Sequence, residues 1–234
     1  MINSRQTKHI GIIGCSYEGA ALCYKTICNE GSTYLGEHAH PEVSLHTYPL
    51  SEYMKYVSLD DWSGVADLMI SSANKLITSG AEILICPDNT IHQSLRIVKK
   101  KISTPWLHIA EEVLSEVKKD NYKMIGLLGT KFLMEGPVYQ EKCKESGIEF
   151  KIPGQEQRNR INSIIFDELV YGIFNDTSRQ FLLNTIIDLK SQGCDSVVLG
   201  CTEIPLIIFP NDSVLPTLDS TRILARAALK KAME

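Results

Sequence analysis

Short, continuous runs of apolar residues alternate along the chain with longer stretches in which apolar residues recur every three or four positions. The continuous runs predict strands covered on both faces, as in parallel sheets, and the longer stretches predict helices with one buried face. The predicted strands are residues 9–13, 43–47, 83–85, 124–128, 148–152, 196–199 and 214–216. The predicted helices are residues 19–31, 60–79, 90–100, 135–145, 159–171, 177–192 and 220–233. This alternation predicts a doubly wound α/β fold.

The pattern also repeats within the chain. The segment IGIIG at 10–14 resembles IGLLG at 125–129, and the apolar run before Asp88 resembles the run before Cys201. The two offsets are nearly equal, about 115 and about 113 residues, as a duplicated α/β unit predicts. We therefore expect a first half at 1–115, a second at 116–210, and a segment 211–234 that folds back on the first half. Chance resemblance between two strand-to-helix turns is the alternative.

The predicted halves are two similar parallel-sheet units related by a pseudo-twofold axis, with the active site between them. Ligands of such sheets bind beyond the carboxyl ends of the strands. Gly14, Asp88, Gly129 and Cys201 all follow predicted strands at such ends. We expect these four positions to face one cleft.

Composition narrows the functional classes. The chain has 234 residues and a formal net charge of only −4, which gives no electrostatic case for a nucleic-acid partner. No apolar run approaches the roughly 20 residues of a membrane span, and the first eight residues lack the apolar core of a signal peptide. The seven cysteines form neither a CxxC pair nor a Cys/His cluster, which argues against a metal site and a disulfide framework. A soluble, cytoplasmic protein is expected.

Cys201 is the first candidate for chemistry. It follows a predicted strand and Gly200, and it precedes Thr202. Backbone amides at such a strand-to-helix turn stabilise a thiolate, and a thiolate takes up a proton readily. The alternative is an inert buried cysteine, which is the commoner fate of a single cysteine.

Asp88 stands at the matching point of the first half. A carboxylate is a weak base in water, but desolvation in a closed cleft suits it to acid/base work. The alternative is that Asp88 caps the helix that begins near Asn89 and Thr90, because Asp is a favoured N-cap residue. Cys86 is a competing candidate two residues earlier, although it is expected to pack inside the end of the strand.

Several polar residues near the same turns are candidates for substrate binding. Hydroxyl, amide and helix-start N–H groups together form a surface that suits a carboxylate, although each of them alone is more often a helix cap. His46 is included because it lies near a strand end, while a structural histidine is the default reading. The predicted substrate-binding residues are Ser16, His46, Asn89, Thr90, Thr130 and Thr202.

These motifs resemble the aspartate/glutamate racemase family nearly end to end. The resemblance covers 10–14, the Asn89-Thr90-x-His92 turn, 127–135, 165–172, 178–179 and 200–204. It implies a racemase without a cofactor, a homodimer, and a two-base mechanism in which one cysteine removes the α-proton and another returns it from the opposite face. Carried over, the second cysteine is Cys201, and the first falls on Asp88. The lysine that some relatives carry before the glycine matching Gly172 is absent here, where Val170 and Tyr171 stand.

We therefore expect a cofactor-independent racemase of an acidic amino acid, aspartate before glutamate, with Cys201 and Asp88 as the proton-transfer groups. Two alternatives stay open. One is an isomerase or decarboxylase of a dicarboxylic acid without an amino group, which the single well-placed thiol favours. The other is a carboxylate-binding protein without catalysis, which the missing first cysteine favours. In all three cases the ligand is a small carboxylate.

Overall fold

The structure is a computed structural model, and it describes residues 7–234. Residues 1–6, on which the expected lack of a signal peptide partly rests, lie outside the described residues. The described chain forms two compact units: one runs to Ile109 and includes Thr221–Glu234, and the other spans Ala110–Ser220. No helix within residues 7–234 combines the length and the apolar character needed to cross a bilayer.

The first unit is built on a three-stranded parallel sheet in the order β2-β1-β3. Its strands are β1 (Ile10–Gly14), β2 (Val43–Thr47) and β3 (Ile83–Ile85). Its helices are α1 (Tyr17–Leu35), α2 (Leu50–Val57), α3 (Trp62–Thr78) and α4 (Leu95–Val98), the last preceded by a 3-10 turn at Thr90–Ser94. This arrangement brings the carboxyl ends of β1 and β3 side by side.

The second unit is built on a four-stranded parallel sheet in the order β5-β4-β6-β7. Its strands are β4 (Met124–Leu128), β5 (Glu149–Lys151), β6 (Ser196–Leu199) and β7 (Thr217–Asp219). Its helices are α5 (Ile109–Lys119), α6 (Lys131–Glu135), α7 (Pro137–Ser146), α8 (Gln155–Ser163) and α9 (Asp176–Ser191). A π-helical segment at Ile164–Glu168 and a 3-10 turn at Leu169–Tyr171 continue α8. The predicted α/β class with two parallel sheets is confirmed.

Successive side chains of β1 point to opposite faces of the sheet, and the core of the first unit therefore forms two clusters. Ile10 and Ile12 pack with Ile27 of α1 and with Leu224 of the last helix, α10 (Ser220–Ala232). Ile13 points the other way, into a cluster with residues of α2 and α3 such as Tyr53 and Met69. The sheet is therefore buried on both faces, which explains why its central strand reads as a continuous apolar run.

The division between the units differs from the predicted boundaries. The predicted boundary at 115/116 falls inside α5, whereas the units divide at 109/110. Of the closing segment, 221–234 lies with the first unit, and residues up to Ser220 lie with the second. The reason is that β7 pairs with β6 before α10 begins.

Several local predictions were wrong. The last strand spans Thr217–Asp219 and not 214–216, because β7 is set by its pairing with β6 and not by its own apolar run. Helices α2 and α5 were not predicted, although buried Tyr53 and Val57 have the spacing of one helix face. The helix predicted at 135–145 is broken at Gly136, before Pro137, because proline is favoured at the first position of a new helix.

The core of the first unit gives a stability prediction. Ile12 on the central strand is fully buried, so Ile12→Ala should lower the free energy of unfolding by about 2–5 kcal/mol, through lost burial and a residual cavity. Leu59→Ala is the control, because Leu59 is 78% exposed, and it should change stability by less than about 0.5 kcal/mol. Urea unfolding followed by circular dichroism measures both. Equal effects would contradict the assigned core.

Candidate active site

Asp88 joins the ends of two neighbouring strands in the first unit. The register that places Ile12 opposite Ile85, continued by three residues, brings Cys15 beside Asp88. One carboxylate oxygen of Asp88 accepts the backbone N–H groups of Cys15 and Ser16, each at 3.1 Å. Two amide donors on one oxygen suit a charged carboxylate and fix its position. Asp88 is only partly buried, so its carboxylate lies at the edge of the sheet and not within the core.

Ser16, Asn89 and Thr90 lie close to this carboxylate. Ser16 is the N-cap of α1, where its hydroxyl accepts the N–H of Gly19 at 3.3 Å. Asn89 and Thr90 follow Asp88 directly and begin the 3-10 turn, and Asn89 is buried. The structure therefore brings Ser16 and Asp88 together as expected of one site, and it shows that Ser16 also serves as a helix cap.

Cys86 lies in a different environment. It is fully buried in the cluster that contains Ile13 and Tyr53. Burial, and secondarily the charge of Asp88, raise the pKa of the Cys86 thiol well above its usual range. Its Sγ lies 3.9 Å from the backbone oxygen of Asp88. A thiol whose pKa is raised by burial in the core rarely forms the thiolate, so Cys86 is poorly suited to proton transfer.

Cys201 occupies the corresponding place in the second unit. The register that places Leu128 opposite Leu199 brings Thr130 beside Cys201 when it is continued by two residues. The thiol of Cys201 donates to a carboxylate oxygen of Glu203 at 2.9 Å, and the hydroxyl of Thr202 donates to the same oxygen at 2.7 Å. Glu203 is 2% exposed and Cys201 is 9% exposed. The Cys201 thiol therefore has a buried carboxylate as its hydrogen-bond acceptor.

Glu203 is the functional candidate that the sequence reasoning missed. Glu203 lies in the motif at 200–204, but the motif alone predicts no role for this residue. The signal was present, because Glu203 is the only charged residue between Asp195 and Asp212. A charge in such an apolar stretch is rarely buried without a partner, and here its partners are Cys201 and Thr202.

The position of Cys201 is set by the close approach of the Gly200 backbone to the Leu128 backbone. The N–H of Gly200 donates to the backbone oxygen of Leu128 at 2.7 Å. A Cβ atom on Gly200 would lie 2.6 Å from a methyl carbon of Leu133 and 2.8 Å from that Leu128 oxygen. Thr130, on the neighbouring strand end, caps α6 by accepting the N–H of Leu133 at 3.3 Å. Only glycine therefore fits directly before Cys201.

His46 belongs to a separate polar cluster. Its Nε2 lies 2.9 Å from the Lys75 ammonium, and its Nδ1 lies 2.9 Å from the hydroxyl of Ser72. Because an ammonium group only donates, Nε2 must accept, which leaves the proton of a neutral ring on Nδ1. Burial, and secondarily the charge of Lys75, lower the pKa of His46. Both ring nitrogens are thus engaged within the protein, and no contact joins His46 to Ser16 or Asp88 among the bonds described for residues 7–234.

Comparison with known proteins places the chain in a family. The profile of the Asp/Glu/Hydantoin racemase family matches residues 10–228, so the chain belongs to that family. A Yersinia pestis protein, studied as a candidate Asp/Glu racemase, is similar with a TM-score of 0.89 at 32% identity, over 97% of this chain and 100% of that one. An aspartate racemase homologue from Pyrococcus horikoshii OT3 gives a TM-score of 0.84 at 29% identity, with the same coverage of 97% and 100%.

A relative named as a racemase is also similar in sequence. The broad specificity amino-acid racemase RacX of Bacillus subtilis (strain 168) is 27% identical over 161 residues, which cover 69% of each chain. Together with the family match, these relatives confirm that the protein is an enzyme of the isomerase class, an amino-acid racemase of the family that works without pyridoxal phosphate.

The space around Gly200 gives a second prediction. Gly200→Ala should lower stability by about 1–3 kcal/mol, because the added methyl group overlaps the Leu128 backbone oxygen and displaces Cys201. Gly154→Ala is the matched control, because a Cβ there meets no atom closer than 3.7 Å. Thermal unfolding measures both variants. A Gly200→Ala protein as stable as the control variant would contradict the close approach.

Proposed function

We propose that this protein racemises an acidic amino acid, aspartate before glutamate, by transferring the α-proton between two protein groups without a cofactor. Cys201 serves one face of the α-carbon, and Asp88 serves the other. The observation that carries the proposal is the 2.9 Å contact between the Cys201 thiol and the buried Glu203 carboxylate. This contact gives the thiol a local destination for its proton.

Cys201 acts as a base after its thiol proton has moved to Glu203. The S–H proton passes to the Glu203 oxygen, and the resulting thiolate removes the α-proton of the substrate. Thr202 donates to the same Glu203 oxygen and holds the carboxylate in line with the thiol. In the reverse direction, the Cys201 thiol returns a proton to the α-carbon. A group of this kind typically contributes about 10²–10⁴-fold to the rate.

Asp88 supplies or removes the proton on the opposite face, directly or through a water molecule. The amides of Cys15 and Ser16 hold one of its carboxylate oxygens and so fix the position of the side chain that transfers the proton. Because a carboxylate replaces the family thiol, the two faces of this site are chemically unequal. The same inequality favours a second candidate function, in which one thiol isomerises or decarboxylates a dicarboxylic acid without an amino group.

The substrate carboxylate is held by polar groups at the strand ends. We assign this role to Ser16, Asn89 and Thr90 in the first unit and to Thr130 and Thr202 in the second. Helix-start N–H groups and hydroxyls stabilise the enolate-like charge that develops as the α-proton leaves. The aspartate racemase homologue at 29% identity supports an acidic substrate, and the broad specificity of RacX supports a wider range. A homodimer and a cytoplasmic location stay predictions.

An exchange screen tests the reaction. The enzyme is incubated in D₂O with each amino acid and with simple diacids, and NMR follows loss of the α-proton signal. We expect exchange and inversion with aspartate or glutamate, and Cys201→Ala should remove nearly all of both. Cys143→Ala is the control, because Cys143 is a buried cysteine of the same unit and lies in α7.

The screen also separates the candidate functions. Turnover of a diacid, with no exchange of any amino acid, would replace the racemase by the second candidate. Full exchange in the Cys201→Ala protein would remove Cys201 from the mechanism. Carboxylate binding by calorimetry, without exchange or turnover, would indicate a binding protein.

Asp88→Asn separates the roles of the two faces. The amide oxygen of asparagine still accepts the N–H groups of Cys15 and Ser16, but the side chain no longer exchanges a proton. We expect racemisation to fall by about 10²–10⁴-fold, while the enantiomer presented to Cys201 still exchanges its α-proton without inverting. Chiral chromatography and NMR in D₂O measure the two rates separately.

Asp67→Asn provides the control for this substitution. Asp67 is an exposed aspartate of α3, paired only with the exposed Lys101 among the described residues. Racemisation by Asp88→Asn at the unmodified rate would show that Asp88 holds the strand ends together and transfers no proton.

A further inference from the structure

The backbone carbonyl of Cys86, two residues before Asp88, lies where the pairing of β3 with its outer neighbour ends. On the side away from β1, β3 runs parallel to residues 105–107, and the two backbone bonds described there, 2.8 and 3.1 Å long, both involve Leu84. Continued by two residues, this ladder would bring the N–H of Ile109 to the Cys86 carbonyl. Ile109 instead begins α5, and no backbone donor to this carbonyl is described within residues 7–234.

The imidazole of His92 takes the place of that backbone donor. Its Nε2 lies 2.9 Å from the Cys86 carbonyl oxygen. Because a carbonyl oxygen only accepts, Nε2 carries the proton and donates it. Both residues are buried, so the bond is shielded from bulk water. A buried carbonyl left without a donor is costly, and in the described part of the chain His92 is the one donor to this carbonyl.

Two further contacts fix the position of His92. Its backbone N–H donates to the carbonyl oxygen of Asn89 at 3.1 Å, inside the 3-10 turn that follows Asp88. Its ring packs edge-on against the buried ring of His108, with the two centroids 4.8 Å apart. These contacts hold the imidazole between the end of β3 and the residues that lead into α5.

His92 therefore holds the chain on both sides of Asp88. Its side chain binds Cys86, and its backbone N–H binds Asn89. Only Pro87 separates Cys86 from Asp88, and the proline ring fixes its own φ near about −65°. Few rotations are thus left between the held carbonyl and the Asp88 side chain. The two 3.1 Å bonds from backbone amides to the Asp88 carboxylate depend on this direction, because hydrogen bonds weaken steeply with angle.

We infer that His92 is a positioning residue for the candidate site of the first unit: through the Cys86 carbonyl, it sets the direction in which the Asp88 carboxylate points. The inference rests on the proposed role of Asp88 in proton transfer and deepens it. In this role the imidazole itself transfers no proton. Placement of this kind matters for the rate, since a displacement of about 1 Å can cost about 10²-fold.

A pair of amide variants tests the inference. His92→Gln places an N–H donor at about the reach of Nε2, whereas His92→Asn is one methylene shorter and does not reach the Cys86 carbonyl. The protein is labelled with ¹³C at the aspartate carboxyl carbons, and the Asp88 signal is assigned by its absence in Asp88→Asn. The Asp88 titration midpoint should rise by about half to one pH unit in His92→Asn, because the charged carboxylate loses part of its amide bonding. His92→Gln should keep the midpoint of the parent protein.

The amide protons of Cys15 and Ser16 give a second readout. In the parent protein both should titrate together with Asp88, because their N–H groups bind its carboxylate. This joint titration should weaken in His92→Asn and also in His92→Leu, which has no donor, and it should persist in His92→Gln. Neither readout depends on enzymatic activity.

Ser94→Ala is the matched control. Ser94 is fully buried in the same 3-10 turn, and its hydroxyl donates to the backbone oxygen of Trp62 at 2.8 Å. The variant therefore removes a bond of the same kind, but at the start of α3 and not at the end of β3. It should lower the melting temperature, as His92→Asn does, and leave the Asp88 midpoint unchanged. An equal change of the midpoint in Ser94→Ala would reveal a general effect of a weakened turn and would overturn the inference.

Activity separates the inference from the proposed reaction. Where racemisation occurs, kcat should fall about tenfold or more in His92→Asn, with KM nearly unchanged and with recovery in His92→Gln. An Asp88 midpoint that is the same in the parent protein and in His92→Asn overturns the inference and leaves the racemase proposal intact. A shifted midpoint, together with a parent protein that exchanges no amino acid, supports the inference about the Asp88 turn and overturns the proposed reaction.

Discussion

One oxygen of Asp88 accepts the N–H groups of Cys15 and Ser16 at 3.1 Å each, and this contact joins β3 to β1 and to the start of α1. The contact depends on parallel pairing, since only parallel neighbours bring both carboxyl ends to the same edge of the sheet. It also depends on a short acidic side chain directly after the β3 turn. The amides at the start of α1 favour negative charge. The first unit thus fixes a carboxylate at the carboxyl ends of β1 and β3.

In the second unit, a related arrangement forms between residues that are close together in the sequence. There the carboxylate is Glu203, two residues beyond Cys201, and it accepts from the thiol itself and from Thr202. Each unit therefore places a carboxylate beside the end of its central strands, but the reactive group differs. In the first unit the carboxylate is itself the candidate proton carrier, while in the second it accepts a hydrogen bond from the candidate thiol. Both units contain the parallel sheet that the sequence repeat predicts. Their candidate reactive groups differ, because the first unit has Asp88 where the second has Cys201.

The strands were predicted better than the helices that link them. The predicted bounds of β2, β3, β4 and β6 agree with the structure. For β3, β4 and β6 the reason is that strands buried on both faces leave continuous apolar runs in the sequence. The prediction for β7 was wrong because its position is set by pairing with β6. Helix α2 was missed because it is short, and helix α5 was missed because its charged residues are as numerous as its apolar ones. The π-helical segment after α8 has no pattern of its own in the sequence.

The sequence by itself determined the α/β class, the family, and the positions of Asp88 and Cys201 after two equivalent strands. These follow from local information: apolar runs, glycine turns and short motifs. Tertiary structure decided the rest. Asp88 meets Cys15 and Ser16 across 73 and 72 residues, His46 meets Ser72 across 26, and Cys86 is withdrawn into the core. Such contacts depend on strand register and on the packing of helices that are distant in sequence. For this reason no local pattern in the sequence predicted the partners of Asp88.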